Sequence, residues 1–303
     1  MGEPIAYLNG TYVDPAELTI AVNDVGFVMG ATVSERLRTF AGQLFRWDAH
    51  LARLARSLEV VGLDLPGHQQ ELMKAATKVV QHNYSLLDPA DDLGLSVLVT
   101  PGVGSAGDRT PTICLYSYPL PFQDWLPWYR QGAQLMVSQV RQVPASCWPG
   151  ELKCRSRMHY YLADREAAQK QPGSRALLLD QEGYVSEAST ANLLIYRSQE
   201  GLVSPPPSKT LPGISLATVR ELAEQLSIDW IERDLQVSDV EQADEVMLCS
   251  TSPCIWAVTE FNRQPIGDGT PGPTVERLLA AWSDMVGVEI QQQASQFANR
   301  TAS

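Results

Sequence analysis

The sequence predicts an α+β protein of two domains, and three observations carry that prediction. A chain of 303 residues is long enough for two domains of ordinary size, each with its own core. Short segments with period-two alternation are interleaved with longer segments whose apolar residues recur every three to four positions, the marks of strands and helices. Between residues 119 and 130 both periodicities fail, and Pro119, Pro121 and Pro127 among aromatic residues mark a stiff connection. The predicted division is a first α+β domain over 1–120, a connection over 121–130, a second α+β domain over 131–288 that includes Lys153, and a disordered tail over 289–303.

In chain order, residues 5–8 read as a strand closed by the hairpin signal Asn9-Gly10, and residues 18–22 read as a further extended run. From Asp48 the period changes: Leu51, Leu54, Leu58 and Val61 form a stripe on a helix that Asp48 caps and Gly62 ends. A second helix covers 69–83. Leu95, Val97 and Val99 alternate as a strand, and 112–118 pairs with it across the Gly-rich turn 102–107. Beyond the connection, strands are predicted at 134–140, 175–180, 192–196, 230–234, 245–249 and 254–259, with helices at 157–169, 214–227 and 274–286.

A formal net charge of -12 argues against a sequence-independent nucleic-acid footprint, which needs a basic surface. No apolar run reaches the ~18 residues of a membrane helix, so no membrane partner is expected and the predicted compartment is the cytoplasm. The five cysteines are odd in number and sit in apolar contexts, which suggests reduced thiols. Cys147 and Cys154 with His159 have a spacing unlike common zinc sites, and no metal is expected.

The chemistry centres on Lys153. Four of the five lysines have solvent-facing explanations, whereas Lys153 follows the turn Trp148-Pro149-Gly150 and precedes a helix that Ser156 is placed to cap. Met158, Tyr161, Leu162 and Ala168 recur there at helical spacing. A lysine at such a junction presents its amine to a cleft, where burial lowers its pKa and permits Schiff-base chemistry. Considered alone, a surface pair with Glu151 is the simpler reading.

Three further stretches bear on that choice. Glu187 follows a turn on Gly183 and precedes small polar residues that let a flat ligand approach the backbone, so its carboxylate is placed to face a ring nitrogen; an ordinary hairpin with a solvated Glu187 is the competing reading. Leu211-Pro212-Gly213-Ile214-Ser215 opens a helix whose unpaired N–H groups suit a phosphate, and the hydroxyls around Thr251 form a second polar cluster at a strand end. Arg53 lies at the edge of a buried helix face, suited to grip a phosphate, although an internal salt bridge is the usual fate of such a residue. An amine, a carboxylate for a ring nitrogen and several phosphate donors together fit pyridoxal 5'-phosphate.

With those residues in view, the chain resembles the class IV aminotransferases, the family of branched-chain and D-amino-acid aminotransferases and aminodeoxychorismate lyase. The likeness runs from Tyr7-Leu8-Asn9-Gly10 to about Val286, through Asn23-Asp24-Val25-Gly26-Phe27, Leu44-Phe45-Arg46 and His50-Leu51-Ala52-Arg53-Leu54. The resemblance implies that Lys153 holds the cofactor, that Glu187 contacts the pyridine nitrogen with Asn192 supporting its loop, and that Arg53, Ile214, Ser215 and Thr251 hold the phosphate. It also implies a homodimer acting on small amino acids and 2-oxo acids, with the cofactor between the two domains. Ser34 stands where the family usually has Phe or Tyr, Met158 where branched-chain enzymes have Tyr, and Arg36 where a small residue is usual.

The expected activity is transfer of an amino group between an amino acid and a 2-oxo acid. Elimination of pyruvate from aminodeoxychorismate is the alternative, since Arg38 matches an arginine of that branch, and a cofactor-binding protein without turnover is a third. Ser34, Arg36, Arg38 and Arg109 are the candidates on the substrate side. Residues 34, 36 and 38 share one strand face, so all three are expected to point inward or none, and the arginines suit an acidic donor such as glutamate.

Overall fold

The computed structural model describes residues 2–63, 68–105 and 107–300. Two compact units divide the chain, the first made chiefly of Met1–Leu120 with Glu151–Ser156, the second of Pro121–Gly150 with Arg157–Thr301. Position 106 of the predicted turn and 301–303 of the predicted tail lie outside the described residues.

In the first unit, β1 (Ala6–Leu8) and β2 (Thr11–Val13) form a hairpin whose turn residues Asn9 and Gly10 have φ of 48° and 93°, as a two-residue turn requires. α1 (Val25–Val28) is capped by Asp24, which accepts from the Gly26 amide at 2.7 Å. β3 (Val33–Phe40), β4 (Gln43–Leu44), α2 (Trp47–Val60), α3 (His68–Tyr84), β5 (Leu93–Val103) and β6 (Thr110–Pro119) complete the unit. Its antiparallel sheet runs β2-β1-β6-β5-β3-β4.

Period-two alternation sends Val33, Leu37, Leu95, Val97, Val99 and Leu115 to one face, where they pack with Leu54, Leu58, Leu72, Ala76, Val79 and Val80 of α2 and α3. Two expectations fail here. Residues 18–22 form no strand, and α2 begins at Trp47 after Arg46 in the left-handed region (φ 52°), with no side-chain cap. Asp48 instead lies in the first turn, where its charge complements the helix dipole.

Lys153 belongs to this first unit, although the sequence placed it in the second. The cause is backbone pairing: Cys154 bridges Val33 antiparallel, the Ser34 amide donates to the Lys153 carbonyl at 3.0 Å, and the Arg155 amide donates to the Thr32 carbonyl at 2.8 Å.

The second unit opens with α4 (Phe122–Gln131), where the sequence suggested a connection. Phe122, Trp125 and Tyr129 recur at helical spacing and are its buried face, so the aromatics that obscured the period are what tether the helix. There follow β7 (Ala133–Val137), α5 (Met158–Lys170), β8 (Arg175–Leu179), β9 (Val185–Ala188), β10 (Asn192–Arg197), β11 (Gly201–Ser204) and α6 (Ile214–Gln225). Then come β12 (Trp230–Glu232), α7 (Val237–Glu241), β13 (Glu245–Ser250), β14 (Cys254–Phe261), β15 (Gln264–Pro265), α8 (Pro273–Val286) and α9 (Ile290–Phe297).

The mixed sheet runs β12-β11-β10-β13-β14-β7-β8-β9, with β15 on β14. Its central strands are apolar on both faces, as Leu193, Leu194, Ile195, Val246, Met247 and Leu248 show, because the sheet is covered on both sides. α9 replaces much of the predicted disordered tail: Ile290 and Ala294 are buried and the Phe297 ring lies 6.4 Å from that of Phe122. The apolar residues whose helical spacing marked α5 face outward, Met158 at 67% and Tyr161 at 65% exposure, while Ala163 and Ala167 pack on β8. Ser156 does not cap α5; its hydroxyl donates to the Gly30 carbonyl at 2.8 Å within the first unit. Among the described residues no helix is long and apolar enough to cross a membrane.

Candidate active site

In the first unit, Arg53 is buried on α2 and its Nε and Nη2 donate to Glu35 of β3 at 2.7 and 2.8 Å. His50, one turn earlier, places Nδ1 2.7 Å from the same carboxylate. Burial alone would raise the Glu35 pKa, but the Arg53 guanidinium and the bond from His50 hold it down to about 2. Burial lowers the His50 pKa against the pull of Glu35, so the imidazole is neutral and its Nδ1–H is the donor. The internal salt bridge weighed for Arg53 is therefore present, made through Nε and Nη2.

Lys153 is half-buried; its amide donates to the Ser57 hydroxyl of α2 at 3.2 Å, and its carbonyl accepts from Ser34. α2 and β3 thus fix the lysine from two sides. Three of the other lysines have clear partners: Lys170 bonds Glu166, Lys78 lies over the Tyr12 ring, and Lys209 is clasped by Asp180 and Asp234 at 2.8 and 2.7 Å, so the last is a structural ion cluster and not a solvated loop charge.

Ser34, Arg36 and Arg38 do share one face of β3, but their surroundings differ. Arg38 is fully buried, its guanidinium 4.1 Å from the Phe40 ring centroid and its Nε donating to the Thr39 carbonyl. Arg36 is exposed and lies over Tyr118. Arg109 is spent in its own hairpin, donating from Nε to the Gly104 carbonyl at 3.0 Å.

In the second unit, Glu187 lies in β9, one residue before its end, at 4% exposure. Oε1 accepts from the Tyr160 hydroxyl at 2.5 Å and from Gln142 Nε2 at 2.6 Å, while Oε2 accepts from the Leu211 amide at 3.3 Å and Asn192 Nδ2 at 3.4 Å. Glu187 is therefore no solvated hairpin residue. Burial and the adjoining carboxylate push the Tyr160 pKa well above the usual tyrosine range, so the phenol remains a donor. Asn192 Nδ2 also donates to the Leu211 carbonyl at 3.0 Å, which ties the β9–β10 turn to the chain entering α6.

α6 starts at Ile214 behind Gly213, with no side-chain cap. A Cβ on Gly213 would lie 1.9 Å from Asn192 Oδ1, so only glycine lets the Asn192 side chain reach this helix end. Ser215 is buried in the first turn, whose N–H groups have no partner within the helix. Thr251 lies in the tight turn between β13 and β14, next to Ser250, whose hydroxyl donates to the Thr190 carbonyl.

The second unit offers a buried carboxylate fixed by four donors and an uncapped helix N-terminus beside a buried serine, and the first unit offers a lysine amine; these are the kinds of group that an aldehyde-bearing, phosphorylated pyridine requires. The residues present fit pyridoxal 5'-phosphate. Sequence reasoning missed the partners: Glu35 and His50 for Arg53, and Tyr160 and Gln142 for Glu187. Glu35 was within reach, since it lies between Val33 and Leu37 on the apolar face of an alternating strand.

The family model described as amino-transferase class IV matches residues 32–261. The D-alanine aminotransferase of Staphylococcus aureus (strain N315) is 29% identical over 282 residues, 90% of this chain and 94% of that protein. That of Bacillus licheniformis is 25% identical over 283 residues, covering 92% and 95%. Among solved structures, a T.th. branched-chain amino acid aminotransferase complexed with N-(5'-phosphopyridoxyl)-L-glutamate is 25% identical and superposes with a TM-score of 0.84 over 94% of this chain and 95% of that one. The chain belongs to the class IV aminotransferases, enzymes that depend on pyridoxal phosphate.

Proposed function

We propose that this aminotransferase uses Lys153 as its cofactor lysine to move an amino group between an amino acid and a 2-oxo acid. The observation that carries the reading is Glu187, a buried carboxylate held by Tyr160, Gln142, Asn192 and the Leu211 amide. Bound pyridoxal phosphate supplies a protonated ring that accepts the electron pair left at the substrate Cα. Glu187 keeps a negative charge beside the ring nitrogen, and its four donors keep that charge from turning away. Lys153 Nζ takes the proton from the substrate Cα and returns it elsewhere, as a general base and then acid. Ile214, Ser215 and Thr251 offer amide and hydroxyl donors to the phosphate, and Arg53 adds its charge.

Transamination is preferred to elimination because the lyase alternative leaned on Arg38, which lies in the sheet against Phe40. A homodimer in the cytoplasm completes the reading. Phe27, Val28 and Met29 of the first unit and Met158, Tyr161 and Leu162 of the second are exposed apolar groups that a second copy would cover. The decisive experiment is borohydride reduction of the holoenzyme followed by peptide mapping. The adduct is expected on Lys153, and an adduct on another of the five lysines would refute the assignment.

A further inference from the structure

The turn between β9 and β10 closes where the Ala191 amide donates to the Ala188 carbonyl at 3.2 Å. Within it Thr190 is left-handed (φ 64°), a conformation that a β-branched residue rarely adopts and that persists only where the surroundings enforce it. Ser189 is fixed from three sides: its amide donates to the Ala176 carbonyl at 3.1 Å, its hydroxyl donates to Asp164 Oδ1 at 2.6 Å, and its carbonyl accepts from Arg175 Nη2. The same Nη2 donates to the Thr190 hydroxyl at 3.0 Å. One guanidinium nitrogen of β8 therefore holds both central residues of the turn.

Arg175 is itself set against two stacked indoles. Its guanidinium carbon lies 5.3 Å from the ring centroid of Trp128 on α4 and 5.8 Å from that of Trp256 on β14, and the two rings are 5.1 Å apart at 18°. Burial weakens its hold on the proton, and the Asp164 charge opposes that. Beyond the turn, the Thr190 carbonyl accepts from the Ser250 hydroxyl at 3.2 Å, at the end of β13 and next to Thr251. The β13–β14 turn is held from α4 as well, since the Tyr129 hydroxyl donates to the Pro253 carbonyl at 2.8 Å. Glu187 stands three residues before Thr190, so one connection runs from its strand through Thr190 and Ser250 to Thr251.

We propose that Arg175, held by Trp128 and Trp256, is a positioning residue that locks the turn after Glu187 to the turn that carries Thr251, so that the two move as one platform for the cofactor. The proposal rests on the cofactor reading above and deepens it. Pyridoxal phosphate is rigid across its ring, with the nitrogen and the phosphate-bearing arm fixed relative to each other. A carboxylate and a hydroxyl on two turns that moved independently would hold one end at the expense of the other. Arg175 acts through Thr190 and Ser250: it fixes the left-handed residue whose carbonyl takes the Ser250 hydroxyl.

Arg175→Met keeps an unbranched side chain against the rings and removes the donors. When the holoenzyme is dialysed, the visible absorbance of its bound cofactor should decay about three- to tenfold faster in this variant than in wild type, as for the loss of a single hydrogen bond. KM for an amino donor should stay unchanged, and Arg175→Lys, which restores a charged donor, should keep its cofactor longer than Arg175→Met. Ser250→Ala cuts the same connection at its other end and takes the place of Arg175→Met if that variant does not fold. The double variant should lose cofactor no faster than the more affected single one, because both substitutions break one link. Unchanged decay in the folded single variants, with or without a lower melting temperature, overturns the proposal, as do effects that multiply in the double variant. The absorbance readout needs no turnover, so it stands whichever reaction the enzyme performs. Thr251→Val separates the proposal from the phosphate assignment. Faster decay in Arg175→Met and Ser250→Ala but not in Thr251→Val would remove Thr251 from the phosphate and keep the link, whereas faster decay in Thr251→Val alone would do the reverse.

Discussion

The Tyr160 hydroxyl donates to Glu187 Oε1 at 2.5 Å, across 27 positions of sequence, from the first turn of α5 to β9. Both groups are buried, and the phenol is kept protonated by that burial and by the carboxylate beside it. Tyr160 is thus a positioning residue for Glu187. In Tyr160→Phe the carboxylate loses its shortest bond and gains freedom to rotate. We expect kcat to fall about tenfold with KM little changed, for one hydrogen bond to a charged group. A purely structural role would lower the melting temperature and leave kcat of the folded fraction intact, so the two measurements together decide.

Glu187 itself should separate cofactor binding from turnover. Glu187→Gln retains acceptor capacity through its carbonyl oxygen, so the fold should survive, but an amide supplies no negative charge to the ring nitrogen. The variant is expected to keep bound cofactor, measured by absorbance after dialysis, and to lose most of its half-reaction rate. Unchanged activity would assign Glu187 to the loop alone.

The Glu35 carboxylate makes the first unit sensitive to acid. Its pKa is lowered from 4.5 to about 2 in the folded chain, so its contribution is fully present above about pH 4.5 and is lost as the pH falls toward 2. The shift corresponds to about 3 kcal/mol. His50, also lowered, acts in the same direction, because protonating it costs more in the folded state than in the unfolded one. Urea unfolding at pH 7 and pH 3 should show a steeper acid loss for wild type than for Glu35→Gln. Arg53→Ala leaves Glu35 buried without its main partner, and should cost about 3–5 kcal/mol of stability besides any loss of cofactor.

The architecture was legible where local pattern and burial agree. Leu95, Val97 and Val99, or Val219 and Leu222, have one period and one buried face, and the elements they predict are present. Lys153 stood out because the chain has so few lysines and because a turn precedes it, yet its unit was misjudged, since the bridge from Cys154 to Val33 joins positions far apart in sequence. Helix α5 misled in another way: it buries small alanines and exposes Met158 and Tyr161, so hydrophobicity pointed to the wrong face. Tyr160 was invisible for that reason. The face shared by residues 34, 36 and 38 was correctly read from period two, but not that Arg38 would be entombed and Arg36 exposed, which depends on Phe40 and Gly94.

Helix α9 gives the sharpest contrast between composition and packing. Ile290-Gln291-Gln292-Gln293-Ala294-Ser295-Gln296-Phe297 is polar enough to read as a tail, yet its four-residue spacing brings Ile290 and Ala294 to one buried side. That side meets α4, where Phe122 is almost wholly covered and its ring lies 6.4 Å from Phe297, and Arg130 Nη2 donates to the Ser295 hydroxyl at 3.0 Å. A chain ended after Val288 would lose the buried Ile290 side chain and uncover part of Phe122, each worth about 1.5–3 kcal/mol when fully buried. We expect the truncated protein to fold with a melting temperature several degrees lower, in line with about 2–4 °C per kcal/mol for a domain of this size. Ile290→Ala should produce part of the same drop, by about 2–5 kcal/mol if the site cannot collapse. A truncated protein that melts like wild type would mean that α9 is an ornament on the surface and that its buried side contributes nothing to the second unit.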